Sequence, residues 1–148
     1  LLCGANYNPK LVISASAPMD FYGKIKFGPI FSFLVPFYPI NNVKYLKKIS
    51  SNVWNGYRWV PTNVVDKIWK VINLVKSNFN NVSCPVIIIQ GKRDKFISRS
   101  SFEAIFKNLP SKEKNFKLYK NSSHAILFSR NKIEVYNDII QWISDKID

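Results

Sequence analysis

Hydrophobic positions keep a helical period in three stretches of this chain and an extended one in three others, and follow neither period between residues 19 and 60. The first long helical stretch opens at Asn63. Val64, Val65, Ile68, Val71, Ile72 and Val75 form a stripe at helical spacing, and Asn63 with Asp66 three residues on has the form of a capping box. A second helix is predicted from about Ser100, with Phe102, Ile105, Phe106 and Leu109 on one face. The third opens with Asn131 and Glu134, a second capping-box pattern, and carries Ile133, Tyr136, Ile139, Ile140, Ile143 and Ile147 as its expected buried face.

The extended stretches differ among themselves. Leu11 to Ala17 is a short run of small and β-branched residues closed by Pro18, and Leu1 to Tyr7 before it has the pattern of a last helical turn ended by Asn8-Pro9. Pro85 to Gln90 is apolar almost throughout, the pattern of a strand buried on both faces of a parallel sheet, and Gly91 ends it. Asn115 to Tyr119 alternates, which places it nearer an edge. Between residues 19 and 60, Pro29, Pro36, Pro39 and closely spaced aromatics break any steady period. That segment is expected to be irregular, with short helices, one near Val43 to Ile49, and its length inside a compact domain suits a lid.

Strand, insertion, helix, strand, helix, strand, helix is an α/β alternation, which implies a parallel sheet with right-handed crossovers and helices on both faces. Residues 1–18 and 61–148 are assigned to this core and 19–60 to the cap. Three strands leave one flank open, and further strands are expected to pair beside Leu11 to Ala17. The chain opens on Leu1-Leu2-Cys3-Gly4, without Met, a basic leader or a cleavage site, as expected of a sequence that starts inside a domain.

Composition changes this picture in two places. The formal charge is +13, from 22 Lys and Arg against 9 acids, yet the cations are scattered and no RNA-binding motif occurs. Specific nucleic-acid binding is therefore not expected, while contact with an anionic membrane surface stays open as a partner class, and a basic membrane-surface or nucleic-acid protein is a third reading. The longest apolar stretch, Phe27 to Tyr38, is broken by Pro29 and Pro36 and is too short to span a bilayer. Cys3 and Cys84 lie far apart and one His is too few for a zinc site, so two buried, reduced thiols of a cytoplasmic protein are expected, with no metal.

In open α/β sheets, sites form beyond the carboxyl ends of the strands. Asp94 follows the buried strand after Gly91-Lys92-Arg93, and His124, the chain's one histidine, follows the next strand after Asn121-Ser122-Ser123. Neighbouring parallel strands would bring the two side chains to one rim. There the carboxylate could fix the imidazole tautomer and leave the second ring nitrogen as a general base. Asp20, which also follows a strand, is the reserve acid, and Ser14 and Ser16 are read as core serines within a strand.

At these positions the sequence resembles the α/β-hydrolase superfamily. Val86-Ile-Ile-Ile-Gln-Gly-Lys-Arg-Asp94-Lys-Phe-Ile97 is similar to the segment in which a hydrophobic strand and a Gly precede the catalytic Asp. Asn121-Ser-Ser-His124-Ala-Ile-Leu127 is similar to the catalytic-His loop, and Asn131 to Ile147 to the closing helix. Leu11 to Met19 resembles the strand after the nucleophile, and Phe21 to Val60 occupies the place of the cap. The nearest likeness is to small carboxylesterases and to monoacylglycerol lipases or lysophospholipases.

The resemblance implies the C-terminal part of a serine-type ester hydrolase that needs no cofactor. Asp94 and His124 would be its acid and base, and Phe27, Phe31, Phe37 and Trp54 of the cap would line the acyl site. The family's Gly-x-Ser-x-Gly elbow does not occur in the chain, so the nucleophile, a serine by analogy with Asp or Cys as alternatives, is expected upstream of Leu1. Ser129 stands where relatives often carry an acid. A competing reading is a non-catalytic module of the same fold that binds a ligand or partner through the aromatic cap.

Overall fold

The computed structural model describes residues 1–20, 36–39 and 59–147. Its centre is a parallel sheet of three strands, β1 (Val12–Ala15), β4 (Val86–Gly91) and β5 (Lys114–Tyr119), in the order β1-β4-β5. The register pairs Val12 with Val86 and Val86 with Lys114, and continues to Gly91 opposite Tyr119. A separate antiparallel ribbon joins β2 (Phe37–Pro39) to β3 (Trp59–Pro61). Among the described residues there are also four α-helices, α1 (Leu2–Tyr7), α2 (Thr62–Ser77), α3 (Arg99–Asn108) and α4 (Lys132–Ile147), and two short 3-10 turns, Phe79–Asn81 and Ile126–Phe128.

The unbroken hydrophobicity of β4 follows from its central place. All six of its residues are buried. Val86 and Ile88 point into a core formed with Ile72 of α2 and Phe102, Ile105 and Leu109 around α3. Ile87 and Ile89 point the other way, into a core with Tyr119, Ile126 and Val135, the last from α4. A strand covered by helices on both faces gains nothing from polar positions, and so it does not alternate. β5, at one edge of the described sheet, is mostly exposed before Leu118 and Tyr119. Its Phe116 packs against Phe102 at a tilt and edge-on against Phe106, at ring separations of 5.5 and 5.1 Å.

Several sequence expectations are corrected. α2 starts one residue earlier than expected, after Pro61, so Asn63 lies inside the helix and makes no side-chain cap. At α4, the Asn131 amide donates to the Glu134 carboxylate at 3.0 Å, a side-chain pair in place of the reciprocal backbone bonds of a capping box. The buried face of α4 is Val135, Ile139 and Trp142, whereas Ile133 and Ile140 are 62% and 60% exposed. α4 carries two apolar stripes, and Val135, with Ile139 one turn on, is the one that meets β4 and β5. Cys84 is buried as expected, and burial pushes its thiol up, but Cys3 is exposed. The small ribbon of β2 and β3 was not anticipated. The helix expected near Val43 to Ile49 lies outside the described residues, as does most of the cap.

Candidate active site

Two loops leave the carboxyl edge of the sheet side by side, one after β4 and one after β5. Their roots are stitched together by backbone bonds. Lys92 N–H donates to the Tyr119 carbonyl at 2.9 Å, and Arg93 N–H to the Ser122 carbonyl at 3.0 Å. Gly91 permits this approach. A Cβ there would lie 2.4 Å from the carbonyl oxygens of both Ser122 and Ser123, closer than any side chain tolerates against backbone.

The loop after β4 carries Asp94, whose side chain is 1% exposed. Its Oδ1 accepts from the N–H groups of Phe96 and Ile97 at 2.8 and 3.0 Å, a local turn that fixes the carboxylate. That leaves Oδ2, which lies 2.9 Å from His124 Nδ1. An ionised carboxylate only accepts, so the proton of this bond sits on Nδ1, and Nε2 is the nitrogen left with a lone pair. Phe96 packs on the imidazole with ring centroids 5.4 Å apart.

The loop after β5 carries His124, with its side chain 32% exposed. Its carbonyl accepts from the Ile126 N–H at 2.8 Å and from the Ser16 hydroxyl at 2.9 Å. Ser122 and Ser129, both buried, bridge the loop through their hydroxyls at 3.0 Å. Ser129, noted in the sequence as the replacement for an acid, thus closes the loop.

Beside the imidazole lies a concavity of about 250 Å³ lined by Ala15, Ser16, His124, Ala125, Ile126, Leu127 and Phe128. Its wall includes the end of β1, the other edge strand of the described sheet. A second, smaller hollow of about 30 Å³ is lined by Asp94 together with Gln90, Ile97 and Phe102.

The root of the His124 loop is braced by α4. Tyr119, the last residue of β5, donates its buried phenol to Asp138 Oδ2 of α4 at 2.6 Å, and Lys117 Nζ reaches the same oxygen at 2.5 Å. Burial, reinforced by the bond to Asp138 and its charge, pushes the Tyr119 phenol above the usual range. Burial works to raise Asp138 as well, but the bonds from Lys117 and Tyr119 outweigh it and hold the carboxyl below its ordinary value.

Of the sequence candidates, the structure brings Asp94 and His124 together. Asp20 instead has its backbone tied to α3, where the Ser101 hydroxyl accepts from Asp20 N–H at 2.8 Å and donates to the Asp20 carbonyl at 2.9 Å. Phe37 lies on β2 and is 54% exposed, while Phe27, Phe31 and Trp54 lie outside the described residues. Sequence reasoning read Ser16 as a core serine and placed Gly91 in the acid motif without its contact to the neighbouring loop. The Gly91 signal was present, since a Gly at a strand end often marks close backbone approach.

Comparison with known proteins points the same way. Residues 16–131 match the hydrolase family described as Serine aminopeptidase, S33. A carboxylesterase of Bacillus subtilis (strain 168) is 24% identical over 88 residues, which cover 60% of this chain and 35% of the esterase. A solved structure of the metagenome-derived lipolytic enzymes LipS and LipT superposes with a TM-score of 0.82 at 16% identity, covering 97% of this chain and 59% of its own. For the monoacylglycerol lipase of Paleococcus ferrophilus the TM-score is 0.72 at 12% identity, over 97% of this chain and 62% of the lipase. A soluble variant of the Saccharomyces cerevisiae monoglyceride lipase, in complex with a substrate analogue, gives 0.68 at 17% identity, over 90% and 55%. The chain therefore spans less than two thirds of each of these proteins, and at such identities the likeness establishes the α/β-hydrolase fold.

Proposed function

We propose that this chain, which belongs to the hydrolase family described as Serine aminopeptidase, S33, is the acid- and base-bearing part of a serine-type ester hydrolase. Asp94 is the acid, His124 the base, and the nucleophile comes from polypeptide upstream of Leu1. The reading is carried by the 2.9 Å bond between Asp94 Oδ2 and His124 Nδ1, with His124 also lining the concavity. That bond commits Nδ1 and frees Nε2 to take a proton from an attacking hydroxyl.

In the reaction, His124 Nε2 removes the nucleophile's proton as its oxygen attacks the ester carbonyl. The imidazolium, stabilised by Asp94, then returns that proton to the leaving alcohol. Water, activated by the same nitrogen, releases the acid. The substrates we favour are monoacylglycerols, lysophospholipids or small acyl esters, in keeping with the printed names of the carboxylesterase and the lipases. Phe27, Phe31, Phe37 and Trp54 would contact the acyl chain.

The upstream segment would pair with the outer edge of β1 and seat its nucleophile in the concavity. On this reading the chain alone is inactive, because acid and base lack both a nucleophile and an oxyanion hole. No cofactor enters, the setting is cytoplasmic, and substrate could be drawn from a membrane surface.

Turnover of a p-nitrophenyl ester by the full-length protein tests this. His124→Ala should remove it, with the fold unchanged by circular dichroism. Turnover surviving in His124→Ala removes the acid–base assignment and leaves the competing reading, a binding module of the same fold.

A further inference from the structure

We propose that Ser16 is a positioning residue for His124, holding the backbone of the base while Asp94 holds its ring; the inference rests on His124 being the base. Ser16 follows the last residue of β1 and is buried, and its own N–H donates to the Ile89 carbonyl at 2.9 Å, so it is fixed on the central strand. Its φ is +46°. That left-handed conformation suits Gly, and less well Asn or Asp, but not a serine chosen for its backbone. Pro18 explains the turn in part, since it confines Ala17 to extended geometry and leaves residue 16 to redirect the chain.

The side chain explains the residue. From the strained backbone the Ser16 hydroxyl donates to the His124 carbonyl at 2.9 Å, joining positions 108 residues apart. Of the two bonds this carbonyl accepts, the one from Ile126 N–H at 2.8 Å lies within the base loop, while the one from Ser16 ties the loop to β1. His124 is thereby anchored to all three strands: to β5 by its own chain, to β4 through Asp94, and to β1 through Ser16. Ser16 touches neither ring nitrogen in this arrangement. It acts on where the imidazole stands.

Glycine and alanine separate the two properties of Ser16. Ser16→Gly relieves the backbone and removes the hydroxyl, whereas Ser16→Ala keeps the strain and removes the hydroxyl. In the full-length protein, with a p-nitrophenyl ester, both should lose kcat by roughly tenfold, the scale of one hydrogen bond, with KM within about twofold. Ser16→Ala should melt below Ser16→Gly even so. Equal losses of kcat in variants of unequal Tm are what positioning requires. Wild-type kcat in Ser16→Gly, or a loss of kcat that follows Tm across the two variants, overturns the proposal. The His124→Ala control distinguishes the failures. If it is inactive while Ser16→Gly is fully active, only the role of Ser16 falls; if it keeps turnover, the base assignment falls first.

Discussion

The loops that carry Asp94 and His124 spring from adjacent strands and end 2.9 Å apart, yet they are held in opposite ways. Beyond the backbone bonds at its root, the loop of Asp94 is held from within. Its carboxylate is fixed by the N–H groups two and three residues on, and its side chain is buried. The base loop depends on others: on Ser16 from β1, on the missing side chain of Gly91, and on the contact from Tyr119 to α4 at its root. An acid that must only stay put can be built locally. On the proposed reading, a base that must face a hydroxyl from another segment is located by the elements around it, and the His124 side chain is 32% exposed.

The contrast can be broken at graded cost. The largest effect is expected at the acid. Asp94→Asn should retain the bonds from Phe96 and Ile97 but invert the imidazole tautomer, lowering kcat by about 10⁴ with little change in Tm. Asp20→Asn, measured alongside, should leave kcat within a small factor; a greater loss there would transfer the role to Asp20.

Gly91→Ala comes next. Its Cβ meets the carbonyls of Ser122 and Ser123, so the base loop must move while the acid's own turn stays intact. A shift of about 1 Å at His124 should cost roughly 100-fold in kcat, with about 1–3 kcal/mol of stability from overpacking. Denaturant melts and ester turnover check both, and an unchanged kcat would show that the two loops do not share a wall.

The smallest effect is at the root. Tyr119→Phe should lower stability by about 1–2 kcal/mol, the range for a hydrogen bond to a charged group that is partly open to solvent, with kcat nearly unchanged. Its pH dependence has a definite sign. The folded phenol titrates above its ordinary value of 10.0, so its contribution is complete below that pH and is lost as pH rises past it. Asp138 titrates below its ordinary 3.8, so its contribution is complete above that pH and is lost as pH falls through the lowered value. The stability difference between wild type and Tyr119→Phe should therefore shrink as the buffer passes pH 10, in urea melts taken at closely spaced pH.

The same contrast sets what the sequence reveals. Asp94 is legible because the turn that holds its Oδ1 lies in the run Val86 to Ile97: a strand buried on both faces, a Gly, an acid and an apolar anchor. His124 is legible by its chemistry and its place after a strand. What holds it is not. The Ser16 bond crosses 108 residues, and no local pattern distinguishes Ser16 from a serine packed in a strand. The buried side of α4 was ambiguous for a related reason, since two apolar stripes run along one helix and only tertiary contact decides between them. The capping boxes failed locally, because α2 already begins at Thr62, after Pro61, and Asn131 spends its amide on Glu134.

The most direct measurement is fluorophosphonate labelling of the full-length protein, with the modified residue located by peptide mass. A label on one serine upstream of Leu1, lost in His124→Ala, is the result this account predicts. No label at all, or a label on a serine within residues 1–148, would contradict it.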